Sequence, residues 1–594
     1  MVRDPQLLTD RAQVRWAGNN YFAAHMRNLG LLAMALDPED SSPLLQGYLD
    51  NATGAWLYLF DEATRSDARG GLLPEGFEYS PQTASYALQF LLALRTAGED
   101  DASVHGLHVR LDENPFWDAF VTAYLHALSP ATVEQEGVGP VYQPAWYGDA
   151  QRYHLTDFID AFGALAAYDR LDQNTRRFET VRWIQTHTAP GGAANLLERI
   201  RRPDSARQAI LYFMLFDPAD VPPVDPRSAL APNFVASGPQ RLFSRTSWDT
   251  DAAWLIYALP WNAIDHQHAE GNHFEFYRNG EWLTKARIGY ANIAEGIASS
   301  EFRNSVAIQN ARPVDRDDDD WRIDLWRRGS QWNLVASGDP GPLQHSFGSG
   351  YTYAAGDATN LYNTVSEGAT EVIHASRELI WLQPDRIIVY DRAEAPVGRF
   401  KRFWIQLPQP ATIEDLRATM TTSRGQQLFL TTLLPEDATM RLVDPAEDNV
   451  GDTVATDEPM TQRIVVTAPD AASVRFLHVL EGADGGASAT EATLLQSNSG
   501  TPYEGVVVGA VAVLFPVTAG QSFASLRYTV PATIQEHLIT GLMPGGAYQA
   551  TLTVVTADQV DVQIRVGGAL RADAGGVLHL DTARPAYRLY LPLI

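Results

Sequence analysis

The chain has 594 residues, of which 45% are hydrophobic and 20% charged, which is typical of a globular protein with two or three domains. Its net charge of −27 argues against a nucleic-acid partner, because such a partner needs a cationic surface. There is no cysteine, which excludes disulfides and thiolate metal sites, and no apolar run reaches the roughly 18 residues that cross a membrane.

Residues 1–225 are predicted to form a helical domain. Apolar residues recur at helical spacing in NNYFAAHMRNLGLLAMAL, FWDAFVTAYLHAL, LTDFIDAFGALAAYDRL and ARQAILYFMLFD. In YSPQTASYALQFLLALRTAG, Ser80 and Pro81 are typical of a helix start. Helical segments joined by loops containing Gly, Pro and Asp predict an incomplete α/α toroid of helical hairpins.

The proline-rich stretch at 219–232, ADVPPVDPRSALAP, is predicted to be a linker. After it the pattern alternates, as in WLIYAL, HFEFY, RIIVYDRA and KRFWIQL, which is typical of short antiparallel strands. We therefore predict an α+β multidomain protein, with an antiparallel β-sandwich over 226–525 and a small C-terminal β domain over 526–594. The acidic run DRDDDDW at 315–321 is predicted to be a solvated loop.

The stretch DHQHAEGNHFEFYRNGEWL at 265–283 places three histidines within eight residues: His266, His268 and His273. Imidazole is both a metal ligand and a proton shuttle near neutral pH, so such a cluster indicates a site. The stretch resembles the signature of the heparinase II/III-like polysaccharide lyases, which is matched by Asp265, His268, Phe274, Gly280 and Leu283. The resemblance implies a helical toroid followed by a β-sandwich, and an enzyme that cleaves uronic-acid polysaccharides by β-elimination.

β-Elimination needs three groups: one that neutralises the uronate carboxylate, a base that removes the C5 proton, and an acid that protonates the leaving oxygen. The resemblance implies Asn20 for the first role, with Tyr86 and His266 for proton transfer. The alternatives are structural. Asn20 is also placed to cap a helix, and Tyr86 to pack in the core, in which case Tyr79 is the fallback phenol.

Seven further residues are predicted to bind substrate: His25, Glu78, Tyr147, Arg152, His154, His268 and Arg303. A group of cations between 278 and 328 would give an acidic protein a local positive field if it faced the cleft, and scattered surface charge is the alternative. This group comprises Arg278, Lys285, Arg287, Arg303, Arg322, Arg327 and Arg328.

In some relatives the histidine that matches His268 binds zinc, together with an Asp where this chain has Lys285 and a His where it has Arg303. A cation offers no lone pair, so we predict that this zinc site is lost and that no cofactor is used. His268 would then hydrogen-bond within the sandwich and orient the strand that carries His266. A different metal site built from the three histidines stays open as an alternative.

Two other functions compete with the lyase. A glycoside hydrolase needs two opposed carboxylic acids, for which Glu75, Glu78 and Asp149 are candidates. A non-catalytic carbohydrate-binding protein would account for the 10% of aromatic residues.

The expected partner is an acidic polysaccharide: heparin or heparan sulfate, hyaluronan, chondroitin or alginate. The N-terminal MVRDPQLLTDRAQ lacks the apolar core of a signal peptide, which fits a cytoplasmic protein or a signal that precedes the printed chain. The resemblance favours a secreted or periplasmic protein. Nothing in the sequence indicates the oligomeric state.

Overall fold

The computed structural model describes residues 4–36, 42–155, 158–192, 222–291, 293–335 and 337–582. Its helices are α1 (Arg11–Trp16), α2 (Asn20–Leu36), α3 (Pro43–Asn51), α4 (Leu57–Arg65), α5 (Gly76–Ala97), α6 (Ala102–His105), α7 (Phe116–Ala127), α8 (Phe158–Asp172), α9 (Thr175–His187) and α10 (Trp321–Arg328). Among the described residues, no helix is long and apolar enough to cross a membrane. The predicted helix at 206–217 lies outside them.

The centre of the helical part is α5, which packs against α2 and α8, while α8 packs against α9. The helix begins at Gly76, four residues before the predicted start at Ser80, and it continues through Pro81. It ends at Ala97 and is capped by Gly98, whose left-handed φ of 77° favours glycine. The earlier start matters for the site, because it places Tyr79 on the first turn of the helix rather than in a loop.

The strands of the helical part and the sandwich are β1 (Leu128–Gln135), β2 (Gly139–Pro144), β3 (Asn233–Ala236), β4 (Arg241–Arg245), β5 (Trp254–Ala258), β6 (His273–Arg278), β7 (Glu281–Thr284), β8 (Val306–Ile308), β9 (Gln344–Gly348), β10 (Tyr351–Asp357), β11 (His374–Leu382), β12 (Arg386–Glu394), β13 (Lys401–Leu407), β14 (Ala411–Glu414), β15 (Arg417–Thr421), β16 (Gln427–Leu434), β17 (Thr439–Leu442), β18 (Gln462–Thr467) and β19 (Ser473–Ala483). The hairpin of β1 and β2, which interrupts the helices, was not predicted from the sequence.

Three antiparallel sheets form the sandwich, with strand orders β3-β4-β5-β6-β7, β17-β18-β13-β8 and β14-β15-β16-β19-β12-β11-β10-β9. Side chains alternate between the two faces of the first sheet. Leu255 and Phe274 pack towards the eight-stranded sheet, whereas Trp254 and Tyr277 belong to the core of the helical part. Both faces of this sheet are therefore buried, one of them against the helices.

The C-terminal strands are β20 (Ala492–Gln496), β21 (Ser499–Gly500), β22 (Tyr503–Val508), β23 (Val511–Pro516), β24 (Ser525–Pro531), β25 (Glu536–Ile539), β26 (Ala547–Thr556), β27 (Gln559–Val566), β28 (Leu570–Arg571) and β29 (Leu578–Asp581). They form two five-stranded sheets, ordered β20-β22-β23-β25-β29 and β21-β24-β27-β26-β28. The predicted domain limit at 525 falls inside this group of strands, because its first members alternate just as sandwich strands do. The domain limits stay predictions.

The acidic run at 315–321 leads directly into α10. The carboxylate of Asp320 accepts a hydrogen bond from the Arg322 amide at 2.8 Å and so caps the helix. The last residues of the run therefore serve a helix start, which is a common use of Asp.

Candidate functional site

Three segments meet where the helical part packs on the first sheet: the start of α5, the loop at 145–150, and the loop between β5 and β6. The Asp149 amide donates to the His266 carbonyl at 3.0 Å, and the Phe77 amide donates to the Tyr147 carbonyl at 3.2 Å. Gly148 lies between them with a φ of 70°, and a Cβ there would approach the His266 carbonyl oxygen to 2.8 Å. Only glycine fits such an approach, so the three loops are held in contact by their backbones.

His266 lies at the centre of this junction and has a left-handed φ of 62°. Its Nδ1 is 2.8 Å from Asp149 Oδ2. Among the residues that the structure describes, its Nε2 has no hydrogen-bond partner, and a carboxylate oxygen of Asp265 lies 3.6 Å away. Burial lowers the pKa of His266, but the carboxylates of Asp149 and Asp265 outweigh it and raise the pKa above its ordinary value. A strained residue with a shifted pKa and an unused ring nitrogen is typical of a functional site.

Asp149 joins two of the three histidines of the cluster. Its Oδ1 is 2.7 Å from His268 Nε2 and accepts from the Ala291 amide at 3.1 Å. Burial raises the pKa of Asp149, but hydrogen bonds from His266 and His268 outweigh it and hold the pKa below the usual range. Asp149 is therefore a carboxylate at neutral pH. Burial lowers the pKa of His268, so that ring is neutral.

The phenol in contact with His266 is that of Tyr79. The two rings stack with centroids 3.7 Å apart and an interplanar angle of 21°. The Tyr79 hydroxyl is 2.6 Å from the hydroxyl of Tyr290. Burial, and then the hydrogen bond with Tyr290, raise the pKa of Tyr79, so the group is a protonated phenol unless a nearby charge changes.

Asn19 and Asn20 start α2 beside a buried carboxyl group, that of Glu75. Asn19 Nδ2 donates to Glu75 Oε1 at 2.6 Å, and the Asn20 amide donates to Oε2 at 2.8 Å. Asn19 also caps the helix, because its Oδ1 accepts from the Phe22 amide at 3.1 Å. Among the residues that the structure describes, the Asn20 side chain accepts only from the neighbouring amide of Tyr21, at 2.9 Å. Burial raises the pKa of Glu75 to about 8, so this group is mostly protonated at neutral pH.

Tyr86, the phenol that the family resemblance implies, lies two helical turns beyond Tyr79 on α5. That spacing corresponds to about 10 Å along the axis. The ring is half-buried, and the Arg27 guanidinium lies 4.2 Å from its centroid. Tyr86 thus has a cation above its ring, whereas Tyr79 has the contact with His266.

The predicted substrate-binding residues fall into two groups. His25 and Arg152 are exposed and Glu78 is half-buried, with a Glu78 carboxylate oxygen accepting from the Gln151 amide at 3.3 Å. The others are buried in this structure: Tyr147, His154, His268 and Arg303. The hydroxyl of Tyr147 donates to the Leu73 carbonyl at 2.7 Å, so this residue packs in the core instead of lining a groove.

The local positive field, one of the two alternatives for the cations between 278 and 328, is not supported, because each of these cations pairs with an acid. The pairs are Arg278 with Asp385 and Asp484, Lys285 with Glu458, Arg287 with Asp448, Arg303 with Glu270, Arg322 with Asp320 and Glu367, Arg327 with Asp318, and Arg328 with Glu301 and Asp324. Sequence shows the cations of a segment, but their partners come from elsewhere in the chain.

The residues at the position of the relatives' zinc do not fit a divalent metal. Lys285 Nζ lies 2.8 Å from both carboxylate oxygens of Glu458, and Arg303 contacts His268 Nδ1. Arg303 engages Nδ1 of His268 and Asp149 engages its Nε2, so neither ring nitrogen is left to hold a metal, and the other two ligand positions of the relatives carry cations. Among the described residues, no group of three or more His, Asp or Glu side chains is placed to hold a metal ion. We derive no step through a metal.

No family model and no curated protein matches the chain, but solved structures do. Heparinase III superimposes with a TM-score of 0.55 at 10% identity, over 84% of this chain and 67% of that one. The heparan sulfate lyase HepC from Pedobacter heparinus gives a TM-score of 0.53 at 11% identity, over 85% of this chain and 67% of that one. This chain has the heparinase III fold. The predicted fold class, helical hairpins followed by an antiparallel β-sandwich, is confirmed.

A second heparinase III gives a TM-score of 0.52 at 12% identity and covers 82% of this chain and 63% of that one. This chain thus spans about two thirds of the length of these neighbours. At such identities the likeness establishes the heparinase III fold, and the chemistry has to be argued from the side chains.

Two residues of the junction were not assigned to proton transfer from the sequence: Asp149 and Tyr290. Asp149 appeared only as a possible hydrolase acid in the segment WYGDAQ, and Tyr290 lies in RIGYAN, which carries no motif. Their one shared signal is a glycine immediately before them, and that signal is too common to single them out.

Proposed function

We propose that this protein is a polysaccharide lyase that cleaves a uronic-acid-containing polysaccharide by β-elimination. The observation that carries the proposal is the His266 ring, which stacks against the phenol of Tyr79 and whose Nε2 has no partner among the described residues. Glu75, whose pKa is affected by the charge of His266, accepts a hydrogen bond from the backbone of Asn20 at the start of α2. An amide, a phenol and an imidazole are the three kinds of group that the reaction needs.

Each group has a role in this scheme. Asn20 hydrogen-bonds the uronate carboxylate, and Glu75, which is mostly protonated at neutral pH, adds no negative charge that would repel it. A base removes the proton at C5, the electron pair forms the C4–C5 double bond, and the C4–O bond breaks. The departing oxygen takes a proton from the acid. We assign these two transfers to His266 and Tyr79, with Tyr86 as the alternative phenol.

A glycoside hydrolase on the same scaffold has less support. It would need one carboxyl group as acid and a second as base or nucleophile. Both oxygens of Asp149 already accept hydrogen bonds from histidines, and both oxygens of Glu75 accept from the start of α2. These carboxyl groups are committed to neighbouring residues rather than facing each other across a sugar.

The substrate panel should compare heparan sulfate, the polymer for which the structural neighbour HepC is named, with heparin, hyaluronan, chondroitin and alginate. Such polymers lie outside the cytoplasm, so the proposal includes a secreted or periplasmic location. Elimination creates an unsaturated product that absorbs ultraviolet light, whereas hydrolysis releases reducing ends without that chromophore. Absorbance with every polymer unchanged, together with new reducing ends, would replace the lyase by the hydrolase. Binding with neither signal would leave a carbohydrate-binding protein.

A further inference from the structure

Arg303 is a fully buried cation that ends in contact with a histidine. Its Nη2 donates to His268 Nδ1, and its Nη1 donates to the carbonyl oxygens of Arg287 at 2.7 Å and Phe302 at 3.0 Å. Its Nε lies 3.7 Å from Glu270 Oε1. The guanidinium is therefore held in place from several sides, and its exposed fraction is 0%.

This contact decides which nitrogen of His268 carries the proton. A guanidinium has five N–H donors and no acceptor, so His268 Nδ1 must present its lone pair. The proton of the neutral ring then lies on Nε2, which faces Asp149 Oδ1 at 2.7 Å. His268 is thus a donor to Asp149, and the reverse arrangement would set two N–H groups against each other at Arg303.

The same reasoning passes through Asp149 to His266. The carboxylate can only accept, so His266 Nδ1 carries a proton towards Asp149 Oδ2 at 2.8 Å. In the neutral ring the lone pair is then on Nε2, the nitrogen that has no partner among the described residues. This series of hydrogen bonds therefore has a direction. It begins at the Arg303 guanidinium, which can only donate, and ends at His266 Nε2, which can accept a proton.

Glu270 connects Arg303, where this series of contacts begins, to the loop that carries Asp149. It pairs with Arg303 and with Arg241, and its Oε1 accepts from the Gly148 amide at 3.2 Å, next to Asp149. The residue that holds Arg303 therefore also holds the loop that carries Asp149. A shift of one would move the other, as expected of a support for a reacting group.

We propose that Arg303 is a positioning residue which, through His268 and Asp149, fixes the tautomer and orientation of His266. This inference rests on the proposed function for its catalytic meaning. The guanidinium donates a hydrogen bond to the lone pair of His268 Nδ1. In this proposal protein groups orient His266, at a place whose residues do not fit a metal. The segments that supply the chain, 149, 266–268 and 303, are far apart in sequence.

The tautomers of His266 and His268 can be measured by NMR, without an activity assay. In protein labelled with ¹⁵N-histidine, at an alkaline pH where the rings are neutral, a pyrrole-type nitrogen carries the proton and a pyridine-type nitrogen carries the lone pair. We expect the proton of His268 on Nε2 and that of His266 on Nδ1, with signals assigned from His268→Gln and His266→Gln. A proton on Nε2 of His266 in the unmodified protein would overturn the proposal at once.

Asp149→Asn gives the sharpest perturbation. His268 and the Ala291 amide still donate, so the Asn oxygen must face them and its NH₂ must face His266 Nδ1. That nitrogen must then accept, and the His266 proton moves to Nε2. In a serine-protease triad the equivalent Asp→Asn change lowers kcat about 10⁴-fold by selecting the wrong tautomer. We expect a kcat loss on the order of 10²–10⁴-fold with little change in KM. A variant whose His266 proton stays on Nδ1 would contradict the proposal.

Arg303→Met tests the role of the cation itself. Without the guanidinium, His268 Nδ1 can carry the proton and its Nε2 can accept. In the double variant Asp149→Asn, Arg303→Met only the Ala291 amide then still favours the original amide orientation, and we expect His266 to regain part of its Nδ1 proton. Arg303→Lys keeps a donor and should keep the original tautomers. Lys285→Met is the matched control, because it removes another buried cation that contacts no histidine of the chain; it should leave the ¹⁵N signals in place. Unchanged tautomers in both the single and double Arg303 variants would reject a role for Arg303.

The two proposals fail in different ways. If the unmodified protein cleaves none of the polymers while the ¹⁵N signals behave as described, the proposed function is wrong and the positioning chain stands. If the protein is a lyase but the tautomers do not respond to Asp149→Asn, the positioning chain is wrong and the lyase stands. If Arg303→Met does not fold, the ¹⁵N signals of the unmodified protein and of Arg303→Lys test the proposal.

Discussion

Two buried polar clusters of this protein use the same residue types to different ends. In β11, Arg377 donates from Nε and Nη2 to the two oxygens of Asp391 at 2.7 and 2.8 Å, and from Nη1 to the Asn304 carbonyl at 2.6 Å. Around Asp149 the contacts end on His266 Nε2, which has no hydrogen-bond partner among the described residues. The first cluster is closed and joins sheets. The second leaves a ring nitrogen at its end without a partner in those residues, which is typical of a group kept for chemistry.

The largest expected effect separates the two clusters directly. We expect His266→Ala to lower elimination about 10²–10⁴-fold, since it removes a proton-transfer group. It should cost less stability than Arg377→Met, because Asp149 keeps its hydrogen bonds with His268 and the Ala291 amide. Arg377→Met should do the opposite at the level of folding: it strands Asp391 in the core and costs about 3–5 kcal/mol. Initial rates and urea unfolding on both variants provide the measurement. A fully active His266→Ala protein would end the comparison.

The next comparison is between two tyrosines of one helix. Tyr79→Phe should reduce kcat on the order of 100-fold, because Tyr79 is the phenol stacked on His266. Tyr86→Phe, which removes the same atom two turns away, is the matched control and should stay close to the parent protein. The reverse result would return the phenol's role to Tyr86, the residue that the family resemblance implies.

Asn20 distinguishes chemistry from capping. If it stabilises charge that grows towards the transition state, Asn20→Ala lowers kcat more than it raises KM. A capping role predicts instead a stability loss of about 1 kcal/mol with activity retained. Asn19→Ala is the natural control, because the Asn19 side chain makes the capping hydrogen bond to Phe22. Asn20→Ala with normal kcat and reduced stability would remove it from the mechanism.

Glu75 gives a pH-dependent prediction. Its pKa rises from the ordinary 4.5 to about 8 in the folded protein. A raised pKa means that its contribution to stability is present below about pH 4.5 and is lost as the pH rises through about 8. Each unit of pKa difference corresponds to about 1.4 kcal/mol. Relative to the parent, Glu75→Gln should therefore gain stability between about pH 5 and about pH 9. Chemical unfolding at the two pH values measures the free energy of unfolding of both proteins. If the difference between them is the same at both pH values, Glu75 does not have the raised pKa.

The smallest expected effect is that of removing metal. Strong chelation should leave activity and the unfolding midpoint unchanged, because Arg303 engages His268 and Lys285, at another ligand position of the relatives, is a cation paired with Glu458. Elemental analysis of the purified protein accompanies the assay. Stoichiometric zinc with activity lost on chelation would show that other residues hold the ion, and the absence of a metal at this site stays a prediction until then.

Local patterns in the sequence determined the layers of this protein. Helical spacing of apolar residues predicted α2, α5 and α7, and alternation predicted strands such as β6 and β12, because both periods are properties of a short stretch of backbone. The fold class followed from the order of these patterns. The segment 265–283 was also recognisable as a candidate site, since it places three imidazoles at the start of one strand.

Only the tertiary structure decided which groups meet. Asp149 and His266 are 117 positions apart, yet a glycine with no room for a Cβ lets their loops touch. Because α5 starts at Gly76, Tyr79 rather than Tyr86 lies against the imidazole of His266. The sequence predicted a start at Ser80, because a proline such as Pro81 is typical of the first turn of a helix and not of its interior. The buried cations Lys285 and Arg287 form ion pairs because burial requires a partner charge, and packing between distant segments, rather than sequence neighbourhood, selects that partner.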